Sequence, residues 1–189
     1  MTAIKLSYDS LTISGKIGVG STTLSRSLEE LLNWKYINVG QIQRQYDQEQ
    51  GINENLQGAM SRSDEHEKEI DDMALKVLQN EKQVIFEAWL AGFLTRDMKH
   101  VLKVLLVCSN EAVRIDRVVN RENTNIETAK RYIKQREEEN VTKWQKLYGN
   151  HDFWSPEYYD LVIDTYGSGP METTGIVLDK LGYKNVKKT

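Results

Sequence analysis

Residues 11 to 23 of the chain read Leu11-Thr12-Ile13-Ser14-Gly15-Lys16-Ile17-Gly18-Val19-Gly20-Ser21-Thr22-Thr23. An apolar, β-branched run leads into closely spaced glycines, and hydroxyl residues open the next segment. The pattern predicts a buried strand over 11–14, a tight loop, and a helix over 22–33. Successive glycines let several backbone N–H groups converge on one centre, and the following helix adds its positive end. The spacing follows the phosphate-binding pattern G-x-x-x-x-G-K-[ST] with one departure. Gly15 and Gly20 have the required separation, Thr22 stands where a hydroxyl would ligate magnesium, and Ser21 replaces the lysine. Gly15, Gly18, Val19, Gly20, Ser21, Thr22 and Thr23 therefore form the candidate cradle for nucleotide phosphates. Lys16 is the candidate substitute for the missing cation, with a solvated loop lysine as the plain alternative.

The rest of the chain alternates strand and helix. Strands are expected over 36–39, 84–86, 101–107 and 161–163. The run at 101–107 is nearly continuous apolar, as a strand covered on both faces should be. Helices are expected over 40–50 and from Ser63, with Ile70, Met73, Ala74, Val77 and Leu78 as the second one's apolar stripe. Leu24, Leu28, Leu31 and Leu32 mark the inner face of the first helix. Asn110 is the expected cap of a helix carrying Val113, Val118 and Val119. Thr124-Asn125-Ile126-Glu127 reads as a capping box opening a long charged helix to about Leu147. Pro170 starts a last helix with Ile176, Val177 and Leu181 inward. Residues 51–62 are ambiguous, and 4–7 suit an edge strand. This rhythm predicts an α/β fold of three layers, a parallel five-stranded sheet flanked by helices, in one domain over 1–189.

Composition narrows the classes. The formal net charge is −3, so no global positive field draws nucleic acid. No apolar run is long enough to span a bilayer. The single cysteine, Cys108, cannot pair internally and fits a reducing cytoplasm. His66, His100 and His151 are too scattered for a zinc site. A monomer or weak homodimer binding small-molecule nucleotides, with no nucleic-acid or membrane partner, is the expectation.

Five blocks in order carry a resemblance over most of the chain: Ile13–Thr23; Tyr36-Ile37-Asn38-Val39-Gly40-Gln41-Ile42-Gln43-Arg44; Val84-Ile85-Phe86-Glu87-Ala88-Trp89-Leu90-Ala91-Gly92; Arg114–Glu122 continuing through Arg136-Glu137-Glu138-Glu139 and Lys146-Leu147-Tyr148-Gly149; and Tyr159-Asp160-Leu161-Val162-Ile163-Asp164-Thr165. The chain resembles the cytidylate kinases, within the P-loop nucleoside monophosphate kinases, and is most similar to their short, archaeal-type branch. That branch includes members whose loop carries a hydroxyl in place of lysine. The resemblance implies a P-loop NTPase fold with a helical monophosphate-binding insertion at about 40–80 and a lid at about 121–150. It implies magnesium-dependent transfer of the γ-phosphoryl of ATP to CMP or dCMP. The same fold acting on another small acceptor, and a catalytically weak nucleotide-binding or regulatory protein, stay open as alternatives.

The resemblance also implies roles. Arg44 matches the arginine that holds the acceptor's phosphate, a task suited to a guanidinium fork. Asp71 falls in the helix that resembles the base-recognition segment, where a carboxylate can accept from cytosine's amine. Glu87, at a strand's C-terminal end, stands where a carboxylate orients magnesium or its waters. Arg136, Lys134 and Lys143 fall where lid arginines sit, and Arg117 and Arg121 near the adenine and phosphates; Lys16, Arg136 and Arg117 are the catalytic candidates. Trp89 stands where the family has a second phosphate-gripping arginine, and either stacks on a base or packs between the sheet and the next helix. Gln41 replaces a common acidic residue.

Overall fold

The computed structural model describes residues 6–53 and 59–183. Its sheet has the order β2-β3-β1-β4-β5, all neighbours parallel. The strands are β1 (Ser10–Gly15), β2 (Lys35–Asn38), β3 (Val84–Glu87), β4 (Val101–Val107) and β5 (Leu161–Asp164). The helices are α1 (Ser21–Leu32), α2 (Val39–Glu49), α3 (Asp64–Asn80), α4 (Ala91–Leu94), α5 (Glu111–Glu122), α6 (Ile126–Tyr148) and α7 (Pro170–Leu181). A parallel sheet needs a crossover between neighbours, and helices supply each one. The central strands β1 and β4 are buried along nearly their whole length because both faces are covered, with β4 the more apolar. Leu11, Ile13, Leu102 and Val104 pack there with Leu24 and Leu28 of α1 and Val177 and Leu181 of α7.

Caps explain most boundaries. Asn38, Ser63 and Asn110 each accept from a backbone N–H three residues on, opening α2, α3 and α5. The cap of α6 is Asn125, whose Oδ1 accepts from the Thr128 N–H, and not Thr124 as the box pattern suggests. Two apolar positions read as inward lie outward. Leu31 and Ile176 are exposed, because the stripes facing the sheet on α1 and α7 are narrower than the runs of apolar residues. The proposed strand at 4–7 falls largely outside the described residues, and Leu6 and Ser7 are not strand. The ambiguous stretch contains a 3-10 turn, Ala59–Ser61.

The C-terminal ends of β1, β3 and β4 open on one side. The loop 16–20, α2, α3, α5 and α6 gather there, where ligands bind in open α/β sheets. No described helix is long and apolar enough to cross a membrane.

Candidate functional site

The loop after β1 reaches backbone conformations that favour glycine. Gly18 has φ +80° and Gly20 φ +94°. A Cβ at Gly18 would lie 2.8 Å from the Arg114 carbonyl oxygen, so only glycine lets α5 come this close. Gly20 is the N-cap of α1 and has no side-chain cap, and the first turn carries no acidic residue. Among the described residues no side chain caps the helix's N-terminal amides.

These amides line a cleft of about 440 Å³, bounded by residues 18–24, Arg117, Asn120, Arg121, Thr165 and Thr173. Arg117 is built into its wall. Its Nη1 donates to the Gly18 carbonyl at 3.0 Å and to Thr165 Oγ1 at 3.0 Å, and its Nη2 to the Thr165 carbonyl at 3.1 Å. Thr165 Oγ1 lies 2.9 Å from the Val19 carbonyl oxygen, so the guanidinium and this hydroxyl brace the loop together. Arg114 ties the loop to α6: its Nε donates to the Ile17 carbonyl at 3.0 Å and its Nη2 pairs with Glu137. Ile17 is buried among Ile115, Val118, Ala129 and Ile133 of α5 and α6. The long charged helix is thus packed onto the phosphate loop along one apolar edge.

Glu87 ends β3 beside this cleft and is buried. Its Oε1 accepts from Ser21 Oγ at 2.7 Å and Thr22 Oγ1 at 2.8 Å. Its Oε2 accepts from Asn38 Nδ2 at 3.0 Å and from the Tyr36 hydroxyl. Burial and the neighbouring carboxylate push the Tyr36 hydroxyl well above its ordinary value, which keeps it a donor. Thr22 Oγ1 and Glu87 form an all-oxygen pair at the loop's mouth, the donor chemistry magnesium takes when phosphates and waters complete its shell. The described residues hold no cluster of three or more His, Cys, Asp or Glu around one centre.

The residues after Glu87 turn into a second, smaller cavity of about 80 Å³. Ala88, Trp89 and Leu90 form one wall, Gly40 and Gln43 of α2 another, Arg62, Glu67, Ile70 and Asp71 a third, and Arg136, Asn140 and Trp144 of α6 the roof. Burial raises the Asp71 carboxyl to about 7, against the opposing hydrogen bond from the Tyr148 hydroxyl. Arg62 is buried and grips Asp47 through Nε at 2.8 Å and Nη2 at 2.5 Å, with Nη1 3.4 Å from Glu67. Burial lifts the Glu67 carboxyl despite that cation. Arg136 is also buried, its Nη1 3.9 Å from Glu122 Oε1.

The structure brings most of the sequence candidates to these two cavities. Gly18 to Thr23 and Arg117 line the first; Asp71, Trp89 and Arg136 line the second; Glu87 stands between. Trp89 is packed against Trp144, ring centres 5.8 Å apart and edge-on, while still facing the cavity. Arg44 is exposed and leans back over Gly40, its Nη1 3.4 Å from where a Cβ there would sit. Lys16 lines neither cavity; its ammonium lies 4.9 Å from the centre of the Trp154 ring. Lys143 is buried on the Arg62 carbonyl (2.6 Å) and Asp64 (2.8 Å). Together with Lys146 it holds the Asp64 carboxyl down at about 2. Sequence reasoning assigned no role to Arg114, Thr165, Tyr36, Asn38 or Arg62. The signal available for Thr165 was its place just after the last strand; the others stood in quoted blocks or in the ambiguous stretch with nothing to distinguish them.

The model of the cytidylate kinase-like family matches residues 10–167. A cytidylate kinase of Methanothrix thermoacetophila is 37% identical over 159 residues, spanning 82% of this chain and 87% of its own. One of Pyrococcus furiosus is 34% identical over 185 residues, 94% of each. Among solved structures, a gluconokinase from Sinorhizobium meliloti superimposes with a TM-score of 0.62 at 13% identity, covering 94% of this chain and 93% of that one, a likeness of fold.

Proposed function

We propose, since the chain belongs to the cytidylate kinase-like family, that it transfers the γ-phosphoryl group of ATP to a nucleoside monophosphate, with CMP or dCMP as acceptor. The observation that carries this reading is the junction at Glu87. A loop with open amides and a braced arginine lies on one side of it, and a polar, partly aromatic cavity is lined by the very next residues on the other.

Phosphoryl transfer needs in-line placement and positive groups on the transferring oxygens rather than covalent help. The amides of 18–23 and the N-terminus of α1 receive the donor's phosphates, with Arg117 beside them. Thr22 and the Glu87 carboxylate would hold magnesium, which would supply positive charge to those phosphates. The acceptor lies in the second cavity with its phosphate toward Glu87. Arg44 stands at the α2 rim for that phosphate, and Arg136 reaches in from the roof. Asp71 faces the base and accepts from its exocyclic amine, and Trp89 supplies an aromatic wall. Lys16 is the ammonium offered in place of the loop lysine that Ser21 replaces. The insertion over 40–80 closes one end and the α6 segment covers the other, keeping water from competing for the γ-phosphate. Lys143 acts on the acceptor wall by anchoring the start of α3. The chain works as a monomer or weak homodimer, and its one cysteine, Cys108, a free thiol, suits a reducing cytoplasm.

An ADP-release assay with ATP and magnesium over CMP, dCMP, UMP, AMP and GMP tests the reading. Turnover is expected to be fastest with CMP or dCMP and to stop on chelation. Measurable ATP binding with no turnover of any acceptor would overturn it.

A further inference from the structure

Trp154 lies between α6 and β5, outside both cavities, yet it touches the elements that build them. Its backbone N–H donates to Asp152 Oδ1 at 3.2 Å, which fixes the turn that presents the ring. The ring meets Trp144 at 5.9 Å and 70°, and Trp89 at 6.3 Å and 58°. Those two rings meet each other edge-on, and both line the acceptor cavity. The Lys16 ammonium also lies over the Trp154 ring, 4.9 Å from its centre. Its indole N–H is shielded from water and has no hydrogen-bond partner among the described residues, and packing and the cation hold the ring. Three aromatic rings therefore run in contact from the acceptor cavity to the first residue after Gly15 of the phosphate loop.

Two physical points give this arrangement a consequence. Close-packed rings cannot shift independently, because voids in an aromatic cluster forfeit contact. An exposed ammonium on an aromatic face is held only about two- to five-fold over the alternatives. That is small enough for a ligand to reverse. Lys16 is exposed and can swing between the ring and the adjoining loop cleft.

We propose that Trp154 is a positioning residue that couples the two cavities: an acceptor bound against Trp89 and Trp144 shifts Trp154 and turns Lys16 toward the donor's phosphates. This rests on the kinase reading above. Coupling of this kind is reciprocal, so the acceptor must tighten donor binding by the factor by which the donor tightens the acceptor.

The test uses the full chain as wild type, W154F, W154L, K16M and the W154L/K16M double variant. The dissociation constant of a non-hydrolysable ATP analogue with magnesium is measured with and without saturating CMP. CMP is expected to tighten the analogue about three- to ten-fold in wild type and in W154F, which keeps an aromatic face. The ratio is expected to fall to about one in W154L, in K16M and, no further, in the double variant. In turnover at saturating ATP, W154L should lose roughly ten-fold in kcat and raise the CMP KM about three- to ten-fold, the reciprocal share of the lost coupling, and W154F should restore most of both. K16M alters an exposed side chain, so it reads the coupling even if W154L folds poorly. Wild type that binds both ligands with an unchanged analogue affinity overturns the coupling and leaves the kinase reading standing, as does a retained ratio in K16M. Wild type that binds neither CMP nor dCMP overturns the cytidylate acceptor and the coupling with it.

Discussion

Ser21 Oγ donates to Glu87 Oε1 at 2.7 Å, so the residue standing where the loop pattern has lysine is tied to the carboxylate at the tip of β3. The same oxygen takes Thr22 Oγ1 at 2.8 Å, and the other oxygen takes Tyr36 and Asn38. Glu87 thus gathers hydroxyls from the glycine-rich loop and side chains from β2, and is a hub between Ser21 and Thr22, which line one cavity, and Ala88, the next residue, which lines the other.

Glu87→Gln tests that hub. An amide presents donors on one side, where this site already has donors, and leaves buried hydroxyls unmatched at roughly 1–3 kcal/mol. Stability is expected to fall by about that amount in urea titration. On the proposed role of this carboxylate toward magnesium, kcat should fall on the order of 10²-fold and half-saturating magnesium should rise. An unchanged magnesium dependence would remove Glu87 from the metal site.

Arg117 and Arg44 should separate kinetically. Arg117 braces Gly18 and Thr165 and faces the donor cleft, so Arg117→Ala is expected to lower kcat on the order of 10²-fold and weaken ATP. Arg44 is at the α2 rim, so Arg44→Ala should raise the KM for CMP and leave the ATP KM nearly unchanged. Initial-rate surfaces in both substrates decide it; the reverse pattern would exchange the two cavities.

Asp71 makes stability depend on pH in a stated direction. Its folded carboxyl titrates at about 7 against an ordinary value of 3.8, so between these the native state keeps a proton the unfolded chain has lost. Stability therefore declines as pH rises from about 4 to about 7 and levels off above. A tenfold change in proton affinity is worth about 1.4 kcal/mol, so the decline amounts to a few kcal/mol at most. Asp71→Asn keeps an acceptor for Tyr148 and should abolish this decline. Urea unfolding at pH 5 and pH 7.5 reads it: the variant gains on wild type at the higher pH. Equal differences at both would place the Asp71 titration elsewhere.

Arg62 neutralises two carboxylates out of water. Arg62→Leu leaves Asp47 and Glu67 buried without their cation, a loss of about 3–5 kcal/mol. For a chain of this size the expected fall in Tm is on the order of 10 °C. A thermal melt within about 2 °C of wild type would contradict the buried network.

The local signals were strong where the physics is local. Glycine spacing, the apolar run of 101–107 and the cap Asn110 act over a few residues, and strand, loop and helix follow from them. The parallel five-stranded sheet and the strand, loop and helix around the glycines were legible for that reason; Glu87 stood out at a strand's C-terminal end, and Arg117 became a candidate only through the family resemblance. The partners of those residues were not. Arg114 reaches the Ile17 carbonyl across 97 residues and Arg117 the Gly18 carbonyl across 99. Only the strand order β2-β3-β1-β4-β5 brings such groups together. Lys143 turned to Asp64 and Lys16 to Trp154 for the same reason. A charge's chemistry is written in its side chain, but which opposite charge or ring it meets is set by how helices cross the sheet. Leu31 and Ile176 show it for apolar residues, since period alone marks a stripe and the neighbouring surface decides how much of it is covered.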